Sequence, residues 1–430
     1  MTLVAGAALT LESTAIWTDA GTLYLYAGAA NVTVANEGAI TTAGGWFSGQ
    51  NHGSFLLDNT GTITSEGANN TLQLGNYAGD SLINSGTILS QGTSTYSSAV
   101  SIGGSSNTIT NSGLIEASST SGNSSTVNVG NGSNTTLTNT GTLQADGAGS
   151  TLVVGSNNTG VTWTNAGGTI EATNGGKIDL EGAFTSATLA AGTVNGAGGT
   201  LNLAGALDNS AGTLAAPTSG IYTLDGGTIN GGTIDGANNA LQFSTTGGTL
   251  SNVSMLDDFT VAQNAGFTVD GTTAFSGNVS FGGNNTVSFG TPGTFTIANG
   301  TTWTDSSSLY LDAGVANVTL KNEGTVTTAG GLFRGYGYSG FVFDNENQLT
   351  NTSGTLSLGY DSGNSVINNG TILNAPSGNT SATTNFYTYN GTMTNSGLIE
   401  ASTTGTGTSV VNFGNSNTTI TNSGTLQADG

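Results

Sequence analysis

Short runs of alternating hydrophobic and small polar residues recur along the whole chain. One stretch contains three of them, Gly113-Leu114-Ile115-Glu116-Ala117, Thr126-Val127-Asn128-Val129 and Thr135-Thr136-Leu137-Thr138. Strict alternation over a few residues is typical of half-buried β-strands. Gly, Asn and Ser lie between the runs, where they supply the left-handed backbone conformations of tight corners. No segment carries a helical period, so the pattern predicts an all-β chain of short strands.

The runs are organised by a short period that is marked by Asn-x-Gly followed by an apolar pair. Successive markers in the first part of the chain are 23 to 28 residues apart. Between about residues 166 and 300 the marker changes to Gly-Gly-Thr-Ile or Gly-Gly-Thr-Leu, which indicates shorter coils of the same kind. The marker asparagines are Asn36, Asn59, Asn84, Asn111, Asn139 and Asn165, followed later by Asn322, Asn345, Asn368, Asn395 and Asn422.

A longer repeat contains the short one. Ile16-Trp17-Thr18-Asp19 returns as Thr302-Trp303-Thr304-Asp305, 286 residues later, and the eight residues that begin at Asn111 return unchanged at Asn395. The chain holds about one and a half copies, so we expect it to be a segment of a polypeptide that continues beyond Gly430. We divide it into residues 1–165 (first copy), 166–300 (shorter coils) and 301–430 (partial second copy).

These periods predict a right-handed parallel β-solenoid with about three short strands in each coil of roughly 20–28 residues. One coil cannot bury its apolar face alone, but stacked coils bury a continuous core and pair each strand with those above and below. The recurring asparagines would then form a ladder of stacked amides along one corner. The alternative is an array of β-hairpins in a sandwich, but hairpin arrays need longer strands than these.

Composition and charge exclude several classes of function. The chain of 430 residues has a net charge of −22 and only three basic residues, Lys177, Lys321 and Arg334. Binding nucleic acid or an anionic membrane surface requires many more cations, so neither partner is expected. No stretch is long and apolar enough for a transmembrane helix. Regularly spaced hydrophobic residues, at 35% of the chain, argue against disorder.

The rung Asn84-Ser85-Gly86-Thr87-Ile88 resembles the repetitive passenger regions of bacterial autotransporters and filamentous-haemagglutinin-like adhesins. The resemblance covers nearly the whole chain and is clearest in residues 30–170 and 316–430. It implies a secreted, surface-displayed parallel β-helix that serves adhesion or acts as a stalk. It also implies an extracellular or cell-surface location. The signal peptide and the translocator barrel of complete members of that family are not recognisable in this sequence.

Few residues suit catalysis. Glycoside hydrolysis needs two carboxylates at a defined separation, and Asp257-Asp258 is the only adjacent acidic pair. The single histidine, His52, lies about 200 residues away, and no basic residue lies near the pair. A solvated corner and a surface-loop histidine are therefore the favoured interpretations. We expect no enzymatic activity and no cofactor, although a polysaccharide-degrading enzyme is kept as a distant alternative.

Calcium binding has no motif to support it, although carboxylates are abundant. Gly231-Gly232-Thr233-Ile234-Asp235-Gly236 only superficially resembles a calcium-binding nonapeptide, and the spacing of an EF-hand is absent. Glu116 and Glu400 occupy matching rungs of the two copies, as do Asp58 and Asp344, but each carboxylate is isolated. Outward charge that keeps the chain soluble is the favoured interpretation.

One aromatic region stands out from the background. Residues 45–55 (GWFSGQNHGSF) match residues 331–341 (GLFRGYGYSGF) at the same rung of the two copies. Aromatic faces with polar rims suit contacts with carbohydrate or protein. The alternative is that Phe47, Phe55, Phe333 and Phe341 stack in the core. The candidate ligand-contact residues are Trp46, Phe47, Tyr336 and Tyr338; residues 385–389 (NFYTY) form a second, weaker cluster.

The sequence thus favours a non-catalytic repeat segment of a large surface or secreted protein, acting as an adhesin shaft, a fibre or a matrix component. A carbohydrate-binding module on the same scaffold is the alternative. Expected partners are host or matrix glycans or proteins. Exposed terminal coils would also permit end-to-end self-association.

Overall fold

The computed structural model describes residues 1–430 except 5, 51, 53, 67–69, 121, 235–240, 257, 415–416 and 430. The described chain is a parallel β-solenoid of short strands, as the sequence predicts. It divides into two compact units. Unit 1 comprises Met1–Asn209 and Ala215–Thr223, and unit 2 comprises Ser210–Leu214 and Leu224–Gly430.

The strands are numbered in chain order. Those of the first copy and its continuation are β1 (Thr2–Leu3), β2 (Ala8–Leu11), β3 (Ile16–Asp19), β4 (Leu23–Ala27), β5 (Val32–Asn36), β6 (Ala39–Thr42), β7 (Gly45–Ser48), β8 (Phe55–Asn59), β9 (Thr62–Glu66), β10 (Thr71–Leu74), β11 (Ser81–Asn84), β12 (Thr87–Gly92), β13 (Ser98–Ile102), β14 (Thr108–Asn111), β15 (Leu114–Ser119), β16 (Ser125–Val129), β17 (Thr136–Asn139), β18 (Thr142–Asp146), β19 (Ser150–Val154), β20 (Thr162–Thr164), β21 (Thr169–Thr173), β22 (Lys177–Leu180), β23 (Ala183–Thr185), β24 (Thr193–Asn195), β25 (Thr200–Leu203) and β26 (Ala206–Asp208).

The remaining strands are β27 (Thr213–Leu214), β28 (Tyr222–Leu224), β29 (Thr228–Asn230), β30 (Thr233–Ile234), β31 (Leu241–Phe243), β32 (Thr249–Ser251), β33 (Ser254–Met255), β34 (Phe259–Val261), β35 (Gly266–Asp270), β36 (Ala274–Phe275), β37 (Val279–Phe281), β38 (Asn285–Phe289), β39 (Gly293–Ile297), β40 (Thr302–Asp305), β41 (Leu309–Ala313), β42 (Val318–Asn322), β43 (Thr325–Thr328), β44 (Gly331–Arg334), β45 (Val342–Asn345), β46 (Gln348–Asn351), β47 (Gly354–Leu358), β48 (Ser365–Asn368), β49 (Thr371–Asn374), β50 (Ala382–Phe386), β51 (Thr392–Asn395), β52 (Leu398–Ser402), β53 (Ser409–Phe413), β54 (Thr419–Asn422) and β55 (Thr425–Asp429).

Every third strand belongs to the same sheet, so three strands make one coil. In unit 1, β4 pairs with β7, β5 with β8 and β6 with β9, all in parallel. In unit 2 the same spacing holds, for example where β42 pairs with β45 and β43 with β46. Neighbouring strands in a sheet lie about 4.8 Å apart, so each coil adds that rise to its stack.

Similar side chains lie above one another in successive coils. Ile63, Ile88 and Ile115 are register partners in β9, β12 and β15, and all three are fully buried. Coil length changes along the chain without loss of register. Thr108 pairs with Thr136, a coil of 28 residues, whereas Phe259 pairs with Val279, a coil of 20. The coil of 20 residues lies within residues 166–300, where the sequence predicts shorter coils.

The corners use the residues that the sequence pattern predicts. Most of the non-glycine residues with a positive φ are asparagines, such as Asn31 and its counterpart Asn317, both at 60°. Asparagine tolerates this left-handed conformation better than most residues, which explains its frequency between strands. One short helix, α1 (Ser186–Ala190), interrupts the strands. Within the described residues, no helix has the length and apolar character needed to cross a membrane.

Candidate functional site

The marker asparagines stack along a corner of each unit, and all of them except Asn422 are buried. In unit 1 they follow or end strands of one sheet, and Asn59 illustrates their geometry. Its Nδ2 donates to Asn84 Oδ1 in the next coil at 2.7 Å, to Gly61 O at 3.3 Å and to Thr87 O at 3.2 Å. Asn84 Nδ2 repeats the pattern towards Asn111 Oδ1 at 2.7 Å. Each amide thus links its own corner to the next coil.

Both units carry such a ladder. Consecutive amides are joined at 2.7 Å from Asn36 to Asn165 and from Asn322 to Asn422. Each ladder begins with a buried amide oxygen, on Asn36 or Asn322, that has no hydrogen-bond partner among the described residues. The register partners in the preceding coil are apolar, Leu11 and Ile297. The ladder therefore starts where the asparagine marker starts.

The aromatic rung splits between the core and the surface. Phe47, Phe55, Phe333 and Phe341 are fully buried, as the core alternative predicts. The prediction of Phe47 as a ligand-contact residue is therefore wrong, because adjacent residues of a strand point to opposite faces and Phe47 takes the inner one. Trp46 points outward and is half-buried.

Trp46 belongs to an outward aromatic patch in unit 1, formed with Tyr24 and Tyr26 of β4. Trp46 is the register partner of Tyr24, and its ring stands edge-on to both tyrosine rings, each 6.4 Å away between centroids. The two tyrosine rings are 5.6 Å apart. Desolvation by burial, followed by the nearby Tyr24 and Tyr77, raises the pKa of Tyr26 above its ordinary value.

Tyr336 and Tyr338 lie in the loop between β44 and β45, in unit 2. The equivalent loops of the next two coils follow β47 and β50, and they carry Tyr360, Tyr387 and Tyr389. The loops stack through backbone hydrogen bonds: Gly340 N donates to Gly363 O at 3.2 Å, and Gly363 N donates to Tyr389 O at 2.7 Å. We call this surface the tyrosine ridge, and it consists of Tyr336, Tyr338, Tyr360, Tyr387 and Tyr389.

Four of the ridge rings are exposed, and three of the five make contacts with a neighbouring side chain. Tyr336 is 59% exposed, and Tyr338, Tyr360 and Tyr389 are exposed as well. The guanidinium of Arg334 lies 4.4 Å from the centroid of the Tyr336 ring, and its Nε donates to Asp312 Oδ1 at 3.0 Å.

Tyr360 and Tyr387 also touch, edge to face, with ring centroids 6.2 Å apart. A cation–π contact and a ring–ring contact restrict the rings without burying them.

Sequence reasoning found part of each surface. It selected Trp46, Tyr336 and Tyr338 but missed Tyr24, Tyr26 and Tyr360, and it treated residues 385–389 as a separate cluster. Alternation contained a signal for the unit 1 patch, because Tyr24 and Tyr26 alternate with leucines and so share a face.

The residues considered for catalysis belong to different units, His52 to unit 1 and Asp258 to unit 2. Asp257 lies outside the described residues. Asp258 is exposed and accepts hydrogen bonds from Asn278 N at 2.7 Å and Asn278 Nδ2 at 3.2 Å, and these bonds lower the pKa of the Asp258 carboxyl. His52 is exposed in a loop, where its backbone N donates to Gly49 O at 3.0 Å.

Carboxylates are dispersed along the sheets. Glu116 has Leu89 and Gln144 as register partners, and Asp58 has Ala35 and Ile83. The described part of the chain contains no cluster of three or more His, Cys, Asp or Glu residues that could hold a metal ion. The nonapeptide-like stretch cannot be compared in full, because residues 235 and 236 lie outside the described residues.

Burial raises the pKa of several carboxyl groups. In each of them desolvation is the largest cause, and for Glu116 the nearby Asp146 carboxylate adds to it. For Asp312 the effect of burial outweighs the opposing hydrogen bond from Arg334. The carboxyl groups with a raised pKa are Asp80, Glu116, Glu181, Asp305, Asp312 and Asp344.

Mild acid should therefore stabilise the protein. A carboxyl whose pKa is raised on folding holds its proton more tightly in the folded state, so the free energy of unfolding increases as pH falls through the raised pKa. The gain levels off near the ordinary carboxyl pKa of about 4. Protonation also reduces the self-repulsion of a chain with a net charge of −22. We expect a higher urea midpoint at pH 5 than at pH 7; a lower midpoint at pH 5 would contradict this.

No protein-family model, no curated protein and no solved structure matches the chain.

Proposed function

We propose that this chain is a non-catalytic structural segment of a large surface or secreted protein, acting as a shaft, fibre or matrix component. The observation that carries the proposal is the buried asparagine ladder, which repeats in both units with 2.7 Å amide contacts. Within each ladder, from Asn36 to Asn165 and from Asn322 to Asn422, successive coils are joined by the same parallel strand pairing and the same amide link, so no single joint in that stretch is weaker than its neighbours. A stiff stack of this kind suits a spacer that holds another domain at a set distance from the cell surface.

Surface display tests the proposed function. The chain is placed between an outer-membrane anchor and a fluorescent tag, and super-resolution microscopy measures the height of the tag above the membrane. A Gly/Ser linker of equal residue number behaves as a flexible coil and should give a broad range of heights. We expect a narrow range for the chain. A range as broad as that of the linker would overturn the shaft proposal.

Carbohydrate binding is the second candidate function. It is favoured by exposed aromatic side chains that a rigid scaffold holds in place, namely the unit 1 patch and the tyrosine ridge of unit 2. Aromatic rings with an apolar face and a polar edge suit the mixed surface of a sugar. A shaft and a binding surface are compatible, because the rings lie outside the strand pairing that makes the stack.

A further inference from the structure

We infer that the tyrosine ridge is a binding site for a neutral polysaccharide; this deepens the carbohydrate-binding candidate and rests on it. The first argument is that the fold does not need the ridge. The first copy builds the same corner with Gln50, His52 and Asn76 in the places of Tyr336, Tyr338 and Tyr360.

The core beneath the two corners is nevertheless alike. Phe47 and Phe55 in the first copy correspond to Phe333 and Phe341 in the second, and all four are fully buried. The second copy thus has three large aromatic side chains at positions where the first copy has polar residues and where exposed apolar surface does not contribute to the core. Exposed aromatic clusters of this kind mark interaction sites.

The hydroxyl groups of the ridge are the second argument. Tyr336, Tyr338, Tyr360 and Tyr389 are exposed, and each carries a phenolic O–H that can donate and accept a hydrogen bond. The ridge therefore combines ring faces with surface hydroxyl groups, which is the chemistry that a hydroxyl-rich ligand requires.

The balance of charge at the ridge favours a neutral ligand. Arg334 is the one basic residue of the chain that lies beside the ridge, and Asp312, 3.0 Å away, offsets its positive charge. Asp361 lies in the next ridge loop, so an anionic sugar would meet no net positive charge there. Recognition of an acidic polysaccharide relies on positive charge that is not already balanced. The ridge is thus suited to uncharged sugar rings, which stack on tyrosine faces and share hydrogen bonds with the tyrosine hydroxyl groups.

Substitution by the first-copy residues tests the ridge. The ridge variant combines Tyr336→Gln, Tyr338→His and Tyr360→Asn, and each new residue already occupies the matching place in the other copy. The matched control is Tyr96→Thr, which replaces an exposed tyrosine of unit 1, outside both aromatic surfaces, by the second-copy residue at that position, Thr380. Pull-down on cellulose and chitin and titration with a soluble β-glucan measure binding, with polygalacturonate as the anionic comparison. Circular dichroism and a urea midpoint verify that each variant is folded.

We expect the unmodified chain to bind at least one neutral glycan, the ridge variant to bind it at least tenfold more weakly, and Tyr96→Thr to bind it unchanged. Unchanged binding by the ridge variant would overturn the ridge as the site while leaving the carbohydrate-binding function standing. Absence of binding to every glycan would overturn both the ridge as a binding site and the carbohydrate-binding function, and it would leave the shaft proposal unaffected. Binding to polygalacturonate in preference to the neutral glycans would overturn the ligand class.

Discussion

Gly45→Ala should unfold the coil that contains it. A Cβ at this position would lie 1.8 Å from Leu23 O and 2.8 Å from Leu23 N, both backbone atoms of the preceding coil. Gly45 also has a φ of +132°, which only glycine adopts readily. The neighbouring backbone cannot retreat without breaking the stack, because Leu23 N donates to Gly44 O at 3.0 Å. We expect a loss of about 3 kcal/mol or more in the free energy of unfolding, the range of severe single substitutions.

The matching glycine of the second copy provides a replicate. Gly331 has a φ of +130°, and its Cβ would lie 1.9 Å from Leu309 O, so Gly331→Ala should have the same effect in unit 2.

Gly293→Ala is the control for both variants. Gly293 lies in unit 2 with a φ of +134°, close to the values of Gly45 and Gly331, and has no atom within 4 Å of the added Cβ, so it measures the conformational penalty alone, about 1–3 kcal/mol. Urea titrations followed by circular dichroism report all three variants. Equal midpoints for Gly331→Ala and Gly293→Ala would contradict the close-approach argument.

Strand positions could be predicted closely because the alternation of hydrophobic and polar residues follows the alternation of buried and exposed side chains along a strand. The runs 113–117, 126–129 and 135–138 are observed as β15 (Leu114–Ser119), β16 (Ser125–Val129) and β17 (Thr136–Asn139). The differences of one or two residues fall at corners, where backbone hydrogen bonding rather than side-chain burial decides where a strand ends. In a stacked fold each strand end also depends on the coils above and below, which a single run does not show.

The two faces of the aromatic rung show where pattern reasoning stopped short. Trp46 and Phe47 are adjacent in a strand and so point to opposite faces, which means that they cannot both contact one surface ligand. Phe47 takes the inner face because its register partners, Leu25 and Leu74, are core residues. The sequence alone shows that Trp46 and Phe47 face opposite sides of the strand. Which of the two faces the core depends on the register partners, and these are known only from the fold.

The tyrosine ridge could not be predicted because it depends on how loops of unequal length stack. The loops at residues 335–341, 359–364 and 387–391 have seven, six and five residues, so no constant spacing relates their tyrosines. Only the register of β44, β47 and β50 brings the loops together. The repeat spacing of the strands therefore predicts where a corner lies, but it does not predict which loop side chains are neighbours there.

Replacing a ladder asparagine in the interior should cost more than replacing one at the end. Asn368 Oδ1 accepts from Asn345 Nδ2 at 2.7 Å, and Asn368 Nδ2 donates to Asn395 Oδ1 at 2.7 Å and to Leu398 O at 3.1 Å. Asn368→Ala leaves Asn395 Oδ1 without its donor in the interior, whereas Asn345 Nδ2 still donates to Asn347 O and Thr371 O. One unsatisfied buried group costs about 1–3 kcal/mol and the other lost hydrogen bonds add about 1 kcal/mol, so we expect a loss of about 2–4 kcal/mol in the free energy of unfolding.

The control is Asn422→Ala, in the last rung of the same ladder. Asn422 accepts from Asn395 at 2.7 Å but is exposed, so water can replace it and the loss should stay below about 1 kcal/mol. Urea unfolding of unit 2 and amide hydrogen exchange at the flanking coils measure both variants. Similar losses for the two would mean that the ladder does not contribute through its buried amides.

Asn368→Asp separates hydrogen bonding from side-chain shape, because aspartate has nearly the same size as asparagine. An ionised carboxylate can still accept from Asn345, but its other oxygen would face Asn395 Oδ1 and Leu398 O, which are both acceptors. Burial and these acceptors would raise the pKa of the new carboxyl, since only the protonated form can donate. The variant should therefore be less stable than Asn368→Ala at pH 7, and it should regain stability as the pH falls through that raised pKa. Urea midpoints of the two variants between pH 4 and pH 7 decide the matter: parallel pH profiles would show that donation along the ladder is not what stabilises the stack.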